Sequence, residues 1–162
     1  MTTQSEICCP KFEVTKWDNK TFKWDHKTFI KATVPTFLHI PLPGTIGRRM
    51  KKLGDLADKA NANIPERSDA LVLFHDPSAF QSEIFYSVSK DVEGAENTSL
   101  SGTFVAGVFD GPYGSEPQHI KTMEKRLAEE GKKAKDYYIH YAYCPQCAKK
   151  YGKNYMVLFA QV

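Results

Sequence analysis

The stretch "TFVAGVFDGPYGSEPQHIKTMEKRLAEEG", residues 103–131, contains a complete strand-to-helix transition. Aromatic and β-branched residues over 103–110 predict a strand, and the glycines and prolines of the following "GPYGSEPQ" end it. Ser115 is a candidate N-cap of the next helix, because its hydroxyl could accept from an N–H group of the first turn. Apolar residues spaced by three and four positions predict that helix, which Gly131 ends.

The same order of elements occurs earlier in the chain. The break "IPLPGTIGRRMKKL" (40–53) aligns with "DGPYGSEPQHIKTM" (110–123), with the helical apolar positions in phase. A duplication is the economical explanation, with repeats at about 28–92 and 102–162. The remaining residues, 1–27, are expected to form an irregular N-terminal extension packed on this domain.

These elements predict an α+β fold. It has a duplicated strand–helix–strand–strand repeat, a mostly antiparallel sheet, two helices on one face and a cleft between the repeats. His75 is assigned to the turn "DPSAFQ" that joins two strands, and the cysteine-containing segment after 143 is assigned to a loop. The other predicted elements are strands at 27–40, 70–75, 82–92, 136–143 and 154–162, and a helix at 45–62.

Composition excludes several classes of protein. The 162 residues suit a single domain, and 41% hydrophobic with 25% charged residues indicates an ordinary globular chain. No apolar run approaches the roughly 20 residues that a membrane helix needs, so no membrane partner is expected. The N-terminus lacks the pattern of a secretory signal, which predicts a cytoplasmic location.

The basic residues do not indicate a nucleic-acid site. The formal net charge is only +3, and the lysines are scattered apart from small clusters such as the one at 48–52. Such a cluster is typical of a solvated helix face. Nucleic acid is therefore not expected as a partner.

Short motifs carry a resemblance to a known family. The segment "LVLFHDPSAFQSEIFYSVSKDV" (71–92) and the Gly111-Pro112-Tyr113 element resemble the hairpin and the Gly-x-Tyr break of GyrI-like ligand-binding domains. "CCPKFE", "WDHKTFIK", "LSGTFVAGVFDGPY" and "YCPQCAKKYGKNYMVLFAQV" together are similar to a bacterial branch of that group labelled as hydrolases. The duplicated fold is shared with SOUL haem-binding proteins.

The resemblance implies a cleft between repeats that binds bulky, often aromatic or cationic, small molecules. Some relatives sense drugs, some hydrolyse strained electrophilic natural products, and some inhibit a topoisomerase. Drug-sensing relatives carry a glutamate in a strand that corresponds here to "DYYIHYAY", where Tyr138, Ile139 and His140 occupy the candidate positions. A neutral or acidic flat ligand is therefore favoured over a cation.

The first functional hypothesis is a stand-alone binding protein for a flat hydrophobic ligand, such as haem, another tetrapyrrole or an aromatic natural product. The alternative is a hydrolase of strained electrophiles that uses the same cleft, and a weaker one is a regulatory domain for a protein partner. Aromatic side chains suit such a cleft because they offer flat apolar faces. The expected ligand-binding residues are Tyr113, Phe85, Tyr86, Phe109, Tyr138, Tyr141, Phe159 and Trp24.

Two residues are the candidate catalytic groups. Glu83 opens the strand "SEIFYSV" and could orient a water molecule, although a solvent-exposed glutamate at a strand edge fits the pattern as well. His140 lies among tyrosines and could act as a general base or a haem ligand, or be an ordinary hydrogen-bonded histidine. Which face of the sheet Glu83 occupies is left open, because a one-residue shift exchanges the faces.

Four cysteines lie near the two ends of the chain. Cys144 and Cys147 have the spacing of two ligands of one tetrahedral metal, and Cys8 with Cys9 could complete a structural zinc site, with His26 as an alternative ligand. Unligated thiols are an equally weighted alternative. A redox pair ranks last, because such a pair normally opens a helix and this one is predicted in a loop.

Overall fold

The computed structural model describes residues 11–162. The chain divides into two compact units. The terminal unit comprises Met1–Lys23 and Gly102–Val162, and the middle unit comprises Trp24–Ser101. Their boundaries fall within two long strands. Cys8 and Cys9 lie outside the described residues.

The described part of the chain contains four α-helices and seven strands. The helices are α1 (Val14–Trp17), α2 (Thr45–Lys59), α3 (Glu116–Glu129) and α4 (Pro145–Tyr151). The strands are β1 (Lys20–Phe37), β2 (Ile40–Pro41), β3 (Val72–Ser78), β4 (Gln81–Ser87), β5 (Glu96–Asp110), β6 (Asp136–Tyr141) and β7 (Tyr155–Gln161). This confirms the α+β class with a mostly antiparallel sheet.

The sheet of the middle unit is ordered β2-β1-β4-β3, and each neighbouring pair is antiparallel. Helix α2 covers one of its faces with Leu53 and Ala57, which pack with Ile30, Val34 and Ile84 of the strands. Successive strand residues point to opposite faces, so the neighbours of Ile84 along β4 point away from α2. This alternation places Glu83 and Phe85 on the face opposite the helix.

The terminal unit repeats the arrangement of helix on sheet. Its strands are ordered β6-β7-β5, again antiparallel. Helix α3 packs Met123 and Leu127 on β7, where they join a core with Leu158. On the opposite face Phe159 contacts Trp17 of α1, with ring centroids 5.9 Å apart. Both units thus have a helix on one face of the sheet, whereas the origin of this likeness by duplication stays a prediction.

The capping and spacing signals in the sequence predicted the position of α3 correctly. Ser115 is its N-cap, as predicted, although its side chain makes no capping hydrogen bond. Helix α2 ends at Lys59 rather than 62, since Asn61 has a φ of 52° and breaks the helical path. Strand β1 begins at Lys20, so the prediction that 1–27 is irregular is wrong for the described residues 20–27.

The prediction of a loop around the C-terminal cysteines is also wrong. Cys144 is the N-cap of α4 and is followed by Pro145 in the first turn. Gly152, with a φ of 70°, ends the helix, and its N–H donates to the Ala148 carbonyl at 2.9 Å. Proline at the start and glycine at the end are ordinary helix signals. The loop-based argument against a redox pair therefore fails.

The turn between β3 and β4 lies later than predicted. Strand β3 continues through His75, and an irregular register between His75 and Ser78 accommodates Pro77. A proline tolerates such a position because the local ladder is already interrupted. The assignment of His75 to the turn is therefore wrong, and His75 lies opposite Glu83 in the sheet.

No helix in residues 11–162 is long and apolar enough to cross a membrane.

The core beneath α2 provides a first prediction. Leu53 is only 2% exposed, so Leu53→Ala should lower the free energy of unfolding by about 2–5 kcal/mol through lost burial and a residual cavity. Urea denaturation measures this change. The matched control is the adjacent, exposed Lys52→Ala, expected to stay within about 0.5 kcal/mol of the parent protein. Equal effects of the two substitutions would contradict the assigned orientation of α2.

Candidate functional site

Three polar side chains meet on the face of the middle unit's sheet that lies opposite α2. Lys31 lies on β1, Glu83 on β4 and His75 on β3, and β4 is the middle strand of the three. Glu83 is directly opposite His75 in the register, while Lys31 is opposite Phe85, two residues further along β4. All three side chains therefore belong to the face opposite α2. We call them the Lys–Glu–His cluster.

The geometry of the cluster is that of a carboxylate held between two donors. Lys31 Nζ lies 2.6 Å from Glu83 Oε2, and His75 Nδ1 lies 2.8 Å from Glu83 Oε1. The Glu83 side chain is 12% exposed, His75 13% and Lys31 24%. Charge-assisted bonds of this length are among the stronger hydrogen bonds in proteins. The cluster is thus ordered and only partly open to water.

The contacts of Glu83 with Lys31 and His75 outweigh burial in their effect on its pKa. Burial raises the pKa of the Glu83 carboxyl, but the hydrogen bonds from Lys31 and His75 and their charges lower it more, so the pKa lies below its ordinary value. The hydrogen bond to Glu83 raises the pKa of the Lys31 ammonium despite its burial. Glu83 is therefore a carboxylate and Lys31 a cation at neutral pH.

Aromatic rings adjoin the cluster. Lys31 Nζ lies 5.8 Å from the centroid of the Phe85 ring, and the His75 ring meets Phe85 edge-on at 6.3 Å. Phe29 packs against the other side, 6.0 Å from Phe85 and 6.2 Å from Trp24. The cluster therefore lies beside aromatic rings of the same unit, of which Phe85 and Phe29 are buried.

The expected ligand-binding residues of the middle unit divide between the two faces of its sheet. Phe85 lies on the face of the cluster, and Trp24 reaches it through Phe29. Tyr86 points to the α2 side, where its hydroxyl donates to Asn63 Oδ1 at 3.2 Å. Of these three residues, the structure therefore brings only Phe85 next to the cluster.

The terminal unit holds the other predicted residues. Tyr138, His140 and Phe159 belong to the face opposite α3, with Tyr138 directly opposite Phe159 in the register. Phe109 and Tyr141 belong to the α3 side. There Tyr141 donates to Glu116 Oε1 at 2.7 Å, and its ring lies 5.8 Å from that of Tyr113, which is 52% exposed.

A serine and a histidine meet at the start of α3. Ser115 Oγ lies 2.9 Å from His119 Nε2, and it donates to the Pro112 carbonyl at 2.6 Å. Thr45, at the equivalent place in α2, donates to the Leu42 carbonyl at the same 2.6 Å without any histidine contact. The shared bond identifies the hydroxyl as part of a recurring turn. We therefore assign no catalytic role to the pair of Ser115 and His119.

The structure describes only two of the four cysteines in the predicted zinc site. Cys144 is partly exposed and Cys147 is buried on the first turn of α4. Within residues 11–162, no group of three or more histidine, cysteine, aspartate or glutamate residues is arranged to hold a metal ion. A zinc site that includes Cys8 and Cys9 stays a prediction, because these residues lie outside that range.

Sequence reasoning missed two members of the cluster. His75 was hidden by the Asp76-Pro77 dipeptide, which is a strong turn signal. A hairpin centred on Ala79 would have paired His75 with Glu83, since both are four residues from that position. Lys31 carries no local signal, because it reaches Glu83 only through the pairing of β1 with β4.

Comparison with known proteins identifies the family of this chain. A family model described as bacterial hydrolase matches residues 1–162, which is the whole chain. No curated protein matches the sequence.

The pKa of Glu83 provides a direct test of the cluster. Lys31→Met keeps much of the apolar stem but removes the cation, so burial should prevail and the pKa of Glu83 should rise. Carbon-13 NMR titration of the carboxyl measures this change. A carboxyl group whose pKa is lower in the folded than in the unfolded protein stabilises the fold at pH values above its unfolded pKa. The parent protein should therefore have a higher free energy of unfolding than Lys31→Met at neutral pH, and this difference should disappear as acid protonates Glu83.

The control for this titration is Glu96→Gln. Glu96 Oε2 lies 3.5 Å from Lys31 Nζ and its side chain is 64% exposed, so its removal should leave the pKa of Glu83 nearly unchanged. A Glu83 pKa that is the same in the parent protein and in Lys31→Met would contradict the described pairing.

Proposed function

The chain belongs to the bacterial hydrolase family, and from this premise we propose that it hydrolyses a small electrophilic substrate at the Lys–Glu–His cluster. One observation carries the proposal. Glu83, the carboxylate expected to act on water, is 12% exposed and lies between Lys31 and His75, both of which contact the ring of Phe85. A partly buried histidine–carboxylate pair is a common way to activate water.

The carboxylate determines the tautomer of His75. An ionised carboxylate only accepts hydrogen bonds, so the 2.8 Å contact requires His75 Nδ1 to carry a proton. In the neutral ring Nε2 then has the lone pair and is the basic nitrogen. Glu83 thus orients the ring and would stabilise the imidazolium formed when Nε2 takes a proton.

The proposed reaction is the opening of an electrophile by water. His75 Nε2 removes a proton from water as the oxygen forms a bond to the electrophilic carbon. The bond from that carbon to the leaving heteroatom breaks, and the heteroatom keeps the electron pair. A proton from the Lys31 ammonium neutralises it, and the proton on His75 returns to Lys31 through solvent. The sum is addition of one water molecule.

The substrate class follows from the surroundings of the cluster. The neighbouring ring of Phe85, although only 5% exposed, makes the surroundings of the cluster apolar, which suits a compound with a flat or hydrophobic body and one reactive carbon. The resemblance to GyrI-like hydrolases supports strained rings as the reactive group. A kinship with that group, and a cytoplasmic location, are parts of this proposal.

A second candidate is binding without turnover. The contacts of Trp24 with Phe29 and of Phe29 with Phe85 favour it, because a row of aromatic rings next to the cluster suits a flat compound such as a tetrapyrrole. In that case Lys31 would pair with an acidic group of the ligand. The two candidates share a surface and differ in whether a product forms.

Turnover separates the candidates. The protein should be incubated with epoxides, aziridines and β-lactones in water enriched in oxygen-18, and products followed by mass spectrometry. We expect one labelled oxygen per product. Glu83→Gln and His75→Ala should each lower kcat/KM by about 100-fold or more, since each removes part of the base.

Two controls accompany this assay. Glu96→Gln and Ser115→Ala should retain the parent rate within about threefold, because Glu96 is 64% exposed and pairs with Lys31 only at 3.5 Å, and Ser115 bonds with Pro112 and His119. Circular dichroism and thermal unfolding verify that each variant is folded. Full rates for folded Glu83→Gln and His75→Ala would refute the assignment. Saturable quenching of tryptophan fluorescence by flat compounds, with no product formed, would favour the binding candidate.

A further inference from the structure

An apolar surface stands out in the middle unit. Six large hydrophobic side chains in residues 11–162 are exposed, and five of them come from two neighbouring turns. Their exposed fractions lie between 50% and 68%. We call them the apolar hairpin patch, which comprises Phe37, Leu38, Ile40, Leu42 and Phe80. Monomeric proteins rarely expose so many large apolar groups together unless they bind something.

Hydrogen bonds hold the two turns together. The N–H of Thr36 donates to the Phe80 carbonyl at 3.1 Å, and the N–H of His39 donates to the Ala79 carbonyl at 2.8 Å. The rings of Phe37 and Phe80 lie 6.1 Å apart. The patch is therefore an ordered surface rather than a set of independent side chains.

The backbone at the tip of the hairpin is unusual. Leu38 and His39 have φ values of 49° and 69°, the left-handed conformation that a two-residue hairpin turn requires at both positions. Asparagine and glycine adopt this conformation readily, whereas leucine does so at a cost. The turn thus presents a 59% exposed leucine where stability alone would favour a small polar residue.

Basic residues adjoin the patch. Helix α2 starts at Thr45, whose hydroxyl donates to the carbonyl of Leu42, a member of the patch, at 2.6 Å. The helix carries five basic and two acidic residues. Its Arg48, Lys51 and Lys52 are exposed, and Lys51 is partly neutralised by Asp55 at 2.7 Å. A short stretch of chain thus joins the patch to a helix with a net positive charge.

We propose that the apolar hairpin patch and helix α2 dock this protein on the surface of an anionic membrane. Apolar side chains enter the headgroup region while adjacent cations attract the negatively charged lipids. The excess of basic residues favours anionic lipid over an uncharged partner. The sequence predicts no membrane partner because it lacks an apolar run long enough to span a bilayer. Docking on the surface of a membrane does not need such a run. The inference is independent of the proposed hydrolysis.

Vesicle sedimentation of the full chain tests this proposal. The protein should sediment with vesicles of equal phosphatidylglycerol and phosphatidylcholine, and not with phosphatidylcholine alone. Added salt should weaken binding by screening. The double variant Phe37→Ser, Ile40→Ser should bind at least about tenfold more weakly, because two inserted apolar side chains are lost. Lys52→Gln should weaken binding by about fivefold.

Two further variants separate binding from folding. Tyr113→Ser removes the sixth exposed hydrophobic side chain, which belongs to the terminal unit, and should bind vesicles like the parent protein. Leu38→Asn with His39→Gly gives the turn its preferred residues, so it should raise Tm while weakening vesicle binding. A weaker binder that is more stable cannot be explained by unfolding.

Three outcomes would overturn the proposal. The first is no sedimentation with anionic vesicles at low salt. The second is equal binding by the parent protein and the Phe37→Ser, Ile40→Ser variant. The third is a dimer, seen by sedimentation velocity, that this variant dissociates in the absence of any vesicle binding. That last result would assign the patch to a second copy of the chain.

Discussion

The carboxylate of Glu83 is only 12% exposed, so it needs hydrogen-bond donors from neighbouring side chains, and the pairing of three strands supplies them. An unpaired charge at such a depth would cost several kcal/mol. Lys31 and His75 supply the pairing from the strands on either side of β4. The arrangement works in one register only, since a shift of one residue would turn Glu83 toward α2 and Ile84 away from it. The packing of α2 and the chemistry of the face opposite α2 therefore depend on the same alternation of side chains along β4.

Sequence patterns predicted the elements whose signals are local. The strand, break and helix over 103–131 appear with Ser115 as the N-cap, because apolar spacing and turn residues act within a few positions. Local signals also misled at Asp76-Pro77, where an irregular ladder absorbs the proline and the strand continues. Helix α4 was not predicted although Pro145 and Gly152 mark its ends, since its 7 residues are too few to show a helical period of apolar positions.

The candidate site was predictable only in part. The resemblance and the strand pattern pointed to Glu83, but the face it occupies depends on tertiary packing that no local pattern reports. Its partners depend on strand pairing, so Lys31 and His75 appear only in the folded structure. Aromatic content predicted a binding surface, yet Phe109 and Tyr141 lie on the α3 side of their sheet while Tyr138 lies on the other. Composition does not distinguish these faces.

The account's central claim is that Glu83 holds His75 with its proton on Nδ1, so that Nε2 is the base. Nitrogen-15 NMR of the histidine-labelled protein at neutral pH measures this directly, with His75→Gln identifying the signal. We predict that the neutral form of the His75 ring carries its proton on Nδ1, and that this preference is lost in Glu83→Gln. A neutral ring protonated at Nε2 would contradict this claim.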